Sequence, residues 1–437
     1  MKNHIAFSRM KQISPRRAAT VAVLDVGSSK IACLIARLTP EADVAPGEWR
    51  THRARVLGIG HQRSRGVKSG LIVDMEEAES AIRQTVDAAE RMAGLQVDRV
   101  IVTASGGRLA SRHFTAKTAI GGREVLEADV HRVLEASAKH PTTRGRVAMH
   151  SLPTGFSLDG VNGVREPKNM IGEELGVDLH VATCDQAATR NLVLAVERGH
   201  LTVEAIVAAP YVAGLSVLEP DEAEMGVVVI DMGSGSTSLA IFADGALMHV
   251  DAVMIGGNHV TRDIARGLNA RLADAERLKT MHGAAIASPS DDRETVAFGH
   301  VGESGEQPAH VPKSHLVRIV RPRIEETLEF LRDRLAHAGF GATRGRRVVL
   351  TGGGCQLTGA PEAARRILGG QVRVGRPLGV DGLPEAATSP AFAAAAGLCV
   401  YPQVAGREYF EPLREQRQAN GSNGYMSRVG RWLTESF

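Results

Sequence analysis

Aromatic residues are scarce: 4% of the 437 residues are Phe, Trp or Tyr, and the chain holds two tryptophans. That leaves little to stack on bases, and a formal charge of +3 gives no basic field for a phosphate backbone, so no nucleic acid is expected as a partner. Cysteine is equally thin. Cys33, Cys184, Cys355 and Cys399 stand singly inside apolar runs, with no CxxC pair and no histidine at ligand spacing, which argues for reduced core thiols and against zinc. No run approaches the roughly 20 apolar residues of a membrane span. The basic N-terminal residues Lys2, Arg9, Lys11, Arg16 and Arg17 are not followed by the apolar stretch of a secretory signal, so the chain is expected to stay in the cytoplasm. What is present, 43% hydrophobic and 23% charged residues, is enough for two domains or more.

The chain is organised around Val227 to Ala243, VVVIDMGSGSTSLAIFA: an apolar run ending on Asp231, a small-residue turn, and a second apolar run. Gly233 and Gly235 remove the side chains that would keep an anion away from the backbone N–H groups, and Ser234, Ser236 and Thr237 add hydroxyls to the same concavity. The pattern occurs once before, at Val21 to Leu34, VAVLDVGSSKIACL, with Asp25, Gly27, Ser28, Ser29 and Lys30 in the matching places. Either copy alone reads as an ordinary hairpin turn. Two copies about one domain length apart suggest related halves facing each other across a cleft.

Along the chain, residues 1–19 read as a mobile basic arm. Lys30 to Leu38 and Arg55 to Gly60 continue a meander, and Asp74 with Glu77 caps a helix whose stripe is Ala78, Ile82, Val86 and Ala89. Val97 to Asp178 reads as a small α/β insertion, and the alternation of strands and helices predicts a largely parallel sheet in each half. Gly256, Gly257 and Asn258 open a helix, and a second helix puts Glu276 and Lys279 on one face. Pro322 is placed in the first turn of a helix with the stripe Ile324, Leu328, Leu331 and Leu335. A strand then runs into Gly352, Gly353 and Gly354.

A nucleoside triphosphate between the two turns would have its phosphates held by backbone N–H groups of both halves, while Asp25 and Asp231 held Mg²⁺ through water. Lys30 fits either a phosphate contact or a surface lysine opening a strand. Gly352 to Gly354 would let a ring or sugar lie on bare backbone, flanked by Glu276 and Lys279. No GxxxxGK[ST] occurs and no helix follows either turn, so this is no P-loop protein.

In order, DVGSSK, DMGSGST, IGGNHVTRDIA, AERLKTMHGAA and VVLTGGG resemble the phosphate-1, phosphate-2 and adenosine motifs of the actin-like ATPase superfamily. Within it the chain resembles the FtsA family of bacterial division proteins from Ala19 to Phe437, through GVKSGLIVDMEEAESAI, VDLHVATCDQAATRNLVLAVERGHL and a linker ending in a short amphipathic helix. The resemblance implies an α/β, two-lobed actin-like fold of duplicated ribonuclease H-like domains. Residues 20–96 and 179–218 would form subdomain 1A, 97–178 the inserted subdomain 1C, 219–250 and 339–410 subdomain 2A with a return helix, and 251–338 subdomain 2B. It implies ATP and Mg²⁺ as cofactors, a head-to-tail polymer, later division proteins meeting 1C, and the C-terminal peptide of the tubulin-like protein FtsZ on the Ile319–Leu335 helix, with Arg323 and Glu326 as contacts. The place implied is the cytoplasmic face of the inner membrane at the septum.

One departure bears on chemistry. Chaperone and MreB-type relatives place a water-orienting Glu or Gln before a proline where this chain reads Ala209-Pro210, so ATP binding with slow hydrolysis is expected, Asp231 being the best catalytic candidate. The alternative is a small-molecule kinase or phosphatase of the same superfamily, for which no general base is evident. Residues 411–424 read as a polar linker, and Met426, Val429, Trp432, Leu433 and Phe437 share one face of a terminal helix. Beside Arg428 and Arg431 that face suits an anionic membrane surface, marginally for one helix and with avidity in a polymer.

Overall fold

The computed structural model describes residues 10–44, 48–139, 143–302, 308–341 and 347–410. Linker 411–424 and the helix expected at 425–437 lie outside the described residues.

In the first lobe the buried run of β1 (Ala19–Val26) reverses into β2 (Lys30–Pro40), and β3 (His52–Arg63) completes an antiparallel meander. A two-strand hairpin, β4 (Val67–Lys68) and β5 (Leu71–Ile72), leads to α1 (Met75–Ala93). Asp74 accepts from the Glu77 N–H at 3.0 Å, and Gly94 closes the helix at φ 68°. Ala78, Ile82, Val86 and Ala89 are buried as the stripe predicts, and Gly58 and Gly60 let α1 lie flush on β3, since a Cβ at either would strike its backbone. β6 (Arg99–Ala104) then joins the same sheet parallel to β1.

The insertion begins only after β6. Strands β7 (Ala110–Glu124), β8 (Arg146–Leu158), β9 (Val161–Val164) and β10 (Ile171–Asp185) form an antiparallel sheet in the order β7-β10-β8-β9, with α2 (Glu127–Ala138) upon it. The expected limits of 97 and 178 are therefore both displaced: β6 pairs with β1 and β11, and β10 continues to Asp185. Asp129 on α2 is fully buried, and Arg123 at 2.7 Å and the Leu126 N–H at 3.0 Å hold its carboxyl far below the usual range. The chain returns through α3 (Gln186–Glu197), β11 (Thr202–Ala208), α4 (Ala209–Val217) and α5 (Pro220–Met225).

The second lobe repeats the first. β12 (Val227–Met232), β13 (Thr237–Ala243) and β14 (Ala246–Val253) form its meander, and α6 (Gly257–Gly267), α7 (Leu272–His282), the pair β15 (Thr295–Phe298) and β16 (Ala309–Pro312), and α8 (Lys313–His337) follow. β17 (Arg347–Thr351), α9 (Ala360–Leu368) and β18 (Gln371–Val374) complete the sheet. Its order β14-β13-β12-β17-β18 matches β3-β2-β1-β6-β11, each with two antiparallel pairings and then two parallel ones. Both sheets are thus mixed, where the alternation of elements predicted largely parallel ones; a tight glycine turn joins adjacent strands and makes them antiparallel.

Three further expectations change. Pro322 lies inside α8, which starts at Lys313: Leu316, Val317 and Val320 are buried in line with Ile324, Leu328, Leu331 and Leu335. Burial of these side chains, at roughly 1.5–3 kcal/mol each, outweighs the ~3 kcal/mol of an interior proline. The last segment leaves the second lobe: β19 (Val380–Asp381) pairs with β3, and α10 (Ala393–Val404) packs on α4 and β1. Gln12 and Ile13 of the basic arm bond to the end of α10, and Met10 and Ile13 pack on the first lobe's core.

Candidate functional site

The two phosphate-sized turns coincide residue by residue. Val26 pairs with Ile31 and Met232 with Thr237, so Gly27-Ser28-Ser29-Lys30 corresponds to Gly233-Ser234-Gly235-Ser236. The first glycine of each does the same work: a Cβ would lie 2.9 Å from Lys30 O in one copy and 2.8 Å from Ser236 O in the other. The turns meet across the cleft, where a Cβ at Gly235 would strike Ser28 Oγ, and Ser28 Oγ itself accepts from the Gly70 N–H at 2.8 Å.

Between the turns lies a cavity of about 570 Å³. It is lined by Asp25, Gly27, Ser28, Ser29 and Lys30 of the first copy, Asp231 and Gly233 to Thr237 of the second, Gly256, Gly257, Glu276 and Lys279, and Gly352, Gly353 and Gly354. Asn258 is the exception among the expected residues. Its backbone N–H donates to Ser234 O at 2.7 Å, bracing the turn from behind, and it does not reach the cavity.

Burial and the Asp25 charge raise Asp231 to about 6, against the opposing pull of Lys30. The Lys30 amine, lowered by burial despite both aspartates, donates to Ala391 O and lies 4.2 Å from the Phe392 ring centre. It is thus tied to the segment before α10, with both aspartates still within range of its charge. At the other end, Lys279 Nζ contacts Glu276 at 2.7 Å and Thr261 Oγ1 at 2.9 Å, fixing both long side chains at the rim.

Arg323 and Glu326 sit outside the cavity on α8, bonded to each other, and Arg323 also donates to Asp263 of α6 at 2.6 and 3.1 Å. Their neighbours Ile324 and Thr327 line the cavity. Met426, Val429, Trp432, Leu433 and Phe437 lie outside the described residues.

Sequence reading missed Ser105, Thr280, Pro390, Ala391 and Ala394 on the lining, and Thr103 beneath it. A signal for Thr103 exists: Arg99 to Gly107, RVIVTASGG, repeats the pattern of Arg347 to Gly354, RVVLTGGG, and the sheet order makes β6 and β17 equivalent.

The cell division protein FtsA of Agrobacterium fabrum (strain C58) is 52% identical over 445 residues, spanning 100% of this chain and 99% of the relative. The chain belongs to the FtsA family. FtsA of Rhizobium meliloti (strain 1021) is 52% identical over 432 residues, 98% of this chain and 97% of that one, and FtsA of Escherichia coli (strain K12) 30% over 424 residues, 95% and 97%. The family model described as "Cell division protein FtsA" matches residues 228–397, and "SHS2 domain inserted in FTSA" matches 106–183, the stretch that holds β7 to β10 and α2 apart from the last residues of β10. A solved PilM-PilN type IV pilus biogenesis complex aligns with a TM-score of 0.60 at 17% identity, over 88% of this chain and 99% of that one. MreB5 of Spiroplasma citri bound to ADP aligns at 0.50 and 14%, over 89% and 97%. The FtsA-family chain therefore has the actin-like fold, two ribonuclease H-like lobes with the FtsA insertion. No helix among the described residues is long and apolar enough to cross a membrane.

Proposed function

We propose that this cell division protein binds Mg-ATP between its lobes, assembles head to tail, and tethers FtsZ filaments to the inner face of the cytoplasmic membrane, where it recruits later division proteins through the insertion. The observation that carries the nucleotide reading is the pair of equivalent turns closing on one cavity with Asp25 and Asp231 at their bases. Ser28, Ser29, Ser234, Ser236 and the turn N–H groups would hold the phosphates, with Glu276 and Lys279 beside the nucleoside and Gly352 to Gly354 beneath it.

A divalent cation fits this donor set. Two carboxylates near enough for the Asp25 charge to raise Asp231, without a cluster of three metal-ligating side chains among the described residues, suit Mg²⁺ held by water and phosphate oxygens. Bound there it would neutralise phosphate charge. Ala209 lines the cavity at the start of α4, where it can neither orient nor deprotonate a water, so turnover is slow. The partner surface is the outer face of α8, where Arg323 would exchange Asp263 or Glu326 for an acidic group of the FtsZ C-terminal peptide.

Calorimetric titration of the full chain with Mg-ATP tests the cleft: micromolar or tighter binding, weakened at least tenfold in Asp25→Asn, is expected, and no heat in the parent would end the reading. Co-sedimentation with anionic vesicles, comparing the full chain with one ending at Gly424, tests the tether. Tail-dependent pelleting is expected, and equal pelleting of both would remove the tail from the reading.

A further inference from the structure

Both ends of the described chain meet at one corner of the first lobe. On the N-terminal side the Ile13 N–H donates to Pro402 O at 3.1 Å and Gln12 Nε2 donates to Gln403 O at 2.7 Å, both against the last turn of α10. Gln12 lies over Gly406, where a Cβ would collide with it. Arg17 O pairs with His52 Nε2 at 3.1 Å, and the His52 N–H reaches Gln403 Oε1 at 3.0 Å. On the C-terminal side the chain leaves α10 through residues 405–407, and the Tyr409 N–H donates to Ser151 O at 2.7 Å on β8. The amphipathic segment of the sequence follows from this point.

Unpaired cations outnumber unpaired carboxylates at this corner. Lys11, Arg16 and Arg17 are exposed, as are Arg37 and Arg55, register partners at the adjoining ends of β2 and β3. Among the described residues none of these five forms an ion pair. Arg53 pairs with Asp381, and the buried Glu408 is held by His150 at 2.8 Å and by the Tyr401 hydroxyl at 3.0 Å, while Glu41 and Asp43, exposed just beyond the end of β2, form no ion pair among the described residues.

A solvated basic arm needs no anchoring, yet this one is pinned to α10 at two places. A short amphipathic helix holds a bilayer marginally unless a second signal accompanies it, and a basic patch is such a signal. The 14 residues 411–424 can span at most about 50 Å, so the patch and the tail can reach one surface together. Attraction to anionic lipid fades within about 10 Å at 0.1 M salt, which is why a pinned patch serves better than a free one.

We propose that Lys11, Arg16 and Arg17, with Arg37 and Arg55 beside them, form a second, electrostatic contact with an anionic lipid surface on the face from which the amphipathic tail emerges. The contact rests on the tether reading and deepens it. Each such cation adds about fivefold to affinity near an anionic leaflet.

The test titrates vesicles of phosphatidylglycerol and phosphatidylcholine, and of phosphatidylcholine alone, with four forms: the full chain; Lys11→Gln/Arg16→Gln/Arg17→Gln; a control with Arg277→Gln/Arg318→Gln/Arg332→Gln on the second lobe; and a chain ending at Gly424. The arm variant is expected to bind anionic vesicles at least tenfold more weakly at 50 mM salt, with the loss vanishing on phosphatidylcholine and in 0.5 M salt. Equal affinity of arm variant and parent overturns the contact, as does an equal loss in the control, which would assign the effect to net charge. A chain ending at Gly424 that binds like the parent overturns the tether reading itself, whatever the arm variant does.

Discussion

Thr103 Oγ1 donates a 2.6 Å hydrogen bond to Asp25 Oδ1, whereas Thr351, its equivalent in the second lobe, turns away from Asp231 and donates to Gly375 O and Pro390 O at 3.2 and 3.3 Å. The duplicated halves thus hold their aspartates differently: one carboxylate is aimed by a buried hydroxyl, the other is left without that donor. Thr103→Val removes the donor at nearly constant volume. A hydrogen bond to a charged group contributes ~1.5–3 kcal/mol, so Mg-ATP affinity should fall about tenfold or more, measured by calorimetric titration, while Thr351→Val should lower the melting temperature without a comparable effect on affinity.

Asp231 gives a pH signature. Its ionisation is raised to about 6 chiefly by burial, then by Asp25, so between about pH 4 and 6 the folded chain holds this proton more tightly than the unfolded one. The contribution favours folding on the acid side and is lost as pH rises through 6. Asp231→Asn keeps the neutral form at every pH. Without nucleotide, the variant should be more stable than the parent at pH 7.5, by on the order of 1–3 kcal/mol, with the gap shrinking to about a third by pH 4.5 and closing below about pH 4; thermal melts across that range read it directly.

Gly235 marks where the turns touch. A methyl there would strike Ser28 Oγ and approach Ser69 Cα to 2.7 Å, so Gly235→Ala should hold the turns apart. Loss of nucleotide affinity by more than tenfold, with a stability cost of roughly 1–3 kcal/mol from overpacking, is expected from paired titration and urea melts. Unchanged affinity would show that the turns need not meet.

Glu408 can be tested apart from the cleft. Truncation in Glu408→Ala leaves the buried His150 Nδ1–H and the Tyr401 hydroxyl without their shared acceptor. Roughly 1–3 kcal/mol should be lost, and hydrogen exchange should speed up in β8 around Ser151, where Tyr409 is bonded, before it does so in the second lobe.

Much of the cleft was legible because its chemistry is local. A glycine turn after a buried strand announces itself within ten residues, as do the Asp74 cap and the Glu276–Lys279 pair. What escaped is set by distant partners. The paired ends of β7 and β10 at Glu124 and Ile171 are exposed, and Gly121, Gly122 and Gly172 interrupt them, so the longest strands of the insertion carry a weak pattern there. Strand β19 is two residues long and exists only because β3 lies beside it. Pro322 signals a helix start, and only the burial of Leu316, Val317 and Val320 overrides it. The lining from Pro390 to Ala394 comes from a stretch whose place depends on α10 crossing back to the first lobe.

That crossing has a consequence for biosynthesis. Helix α10 covers β1 and α4, made some 370 and 180 residues earlier, so the first lobe emerging from the ribosome has its sheet without one of its covering helices until almost the whole second lobe has followed. Domains made first commonly fold first. Here the lobe made first is the lobe finished last, and its exposed core must wait, or be shielded, for most of the translation time of the chain.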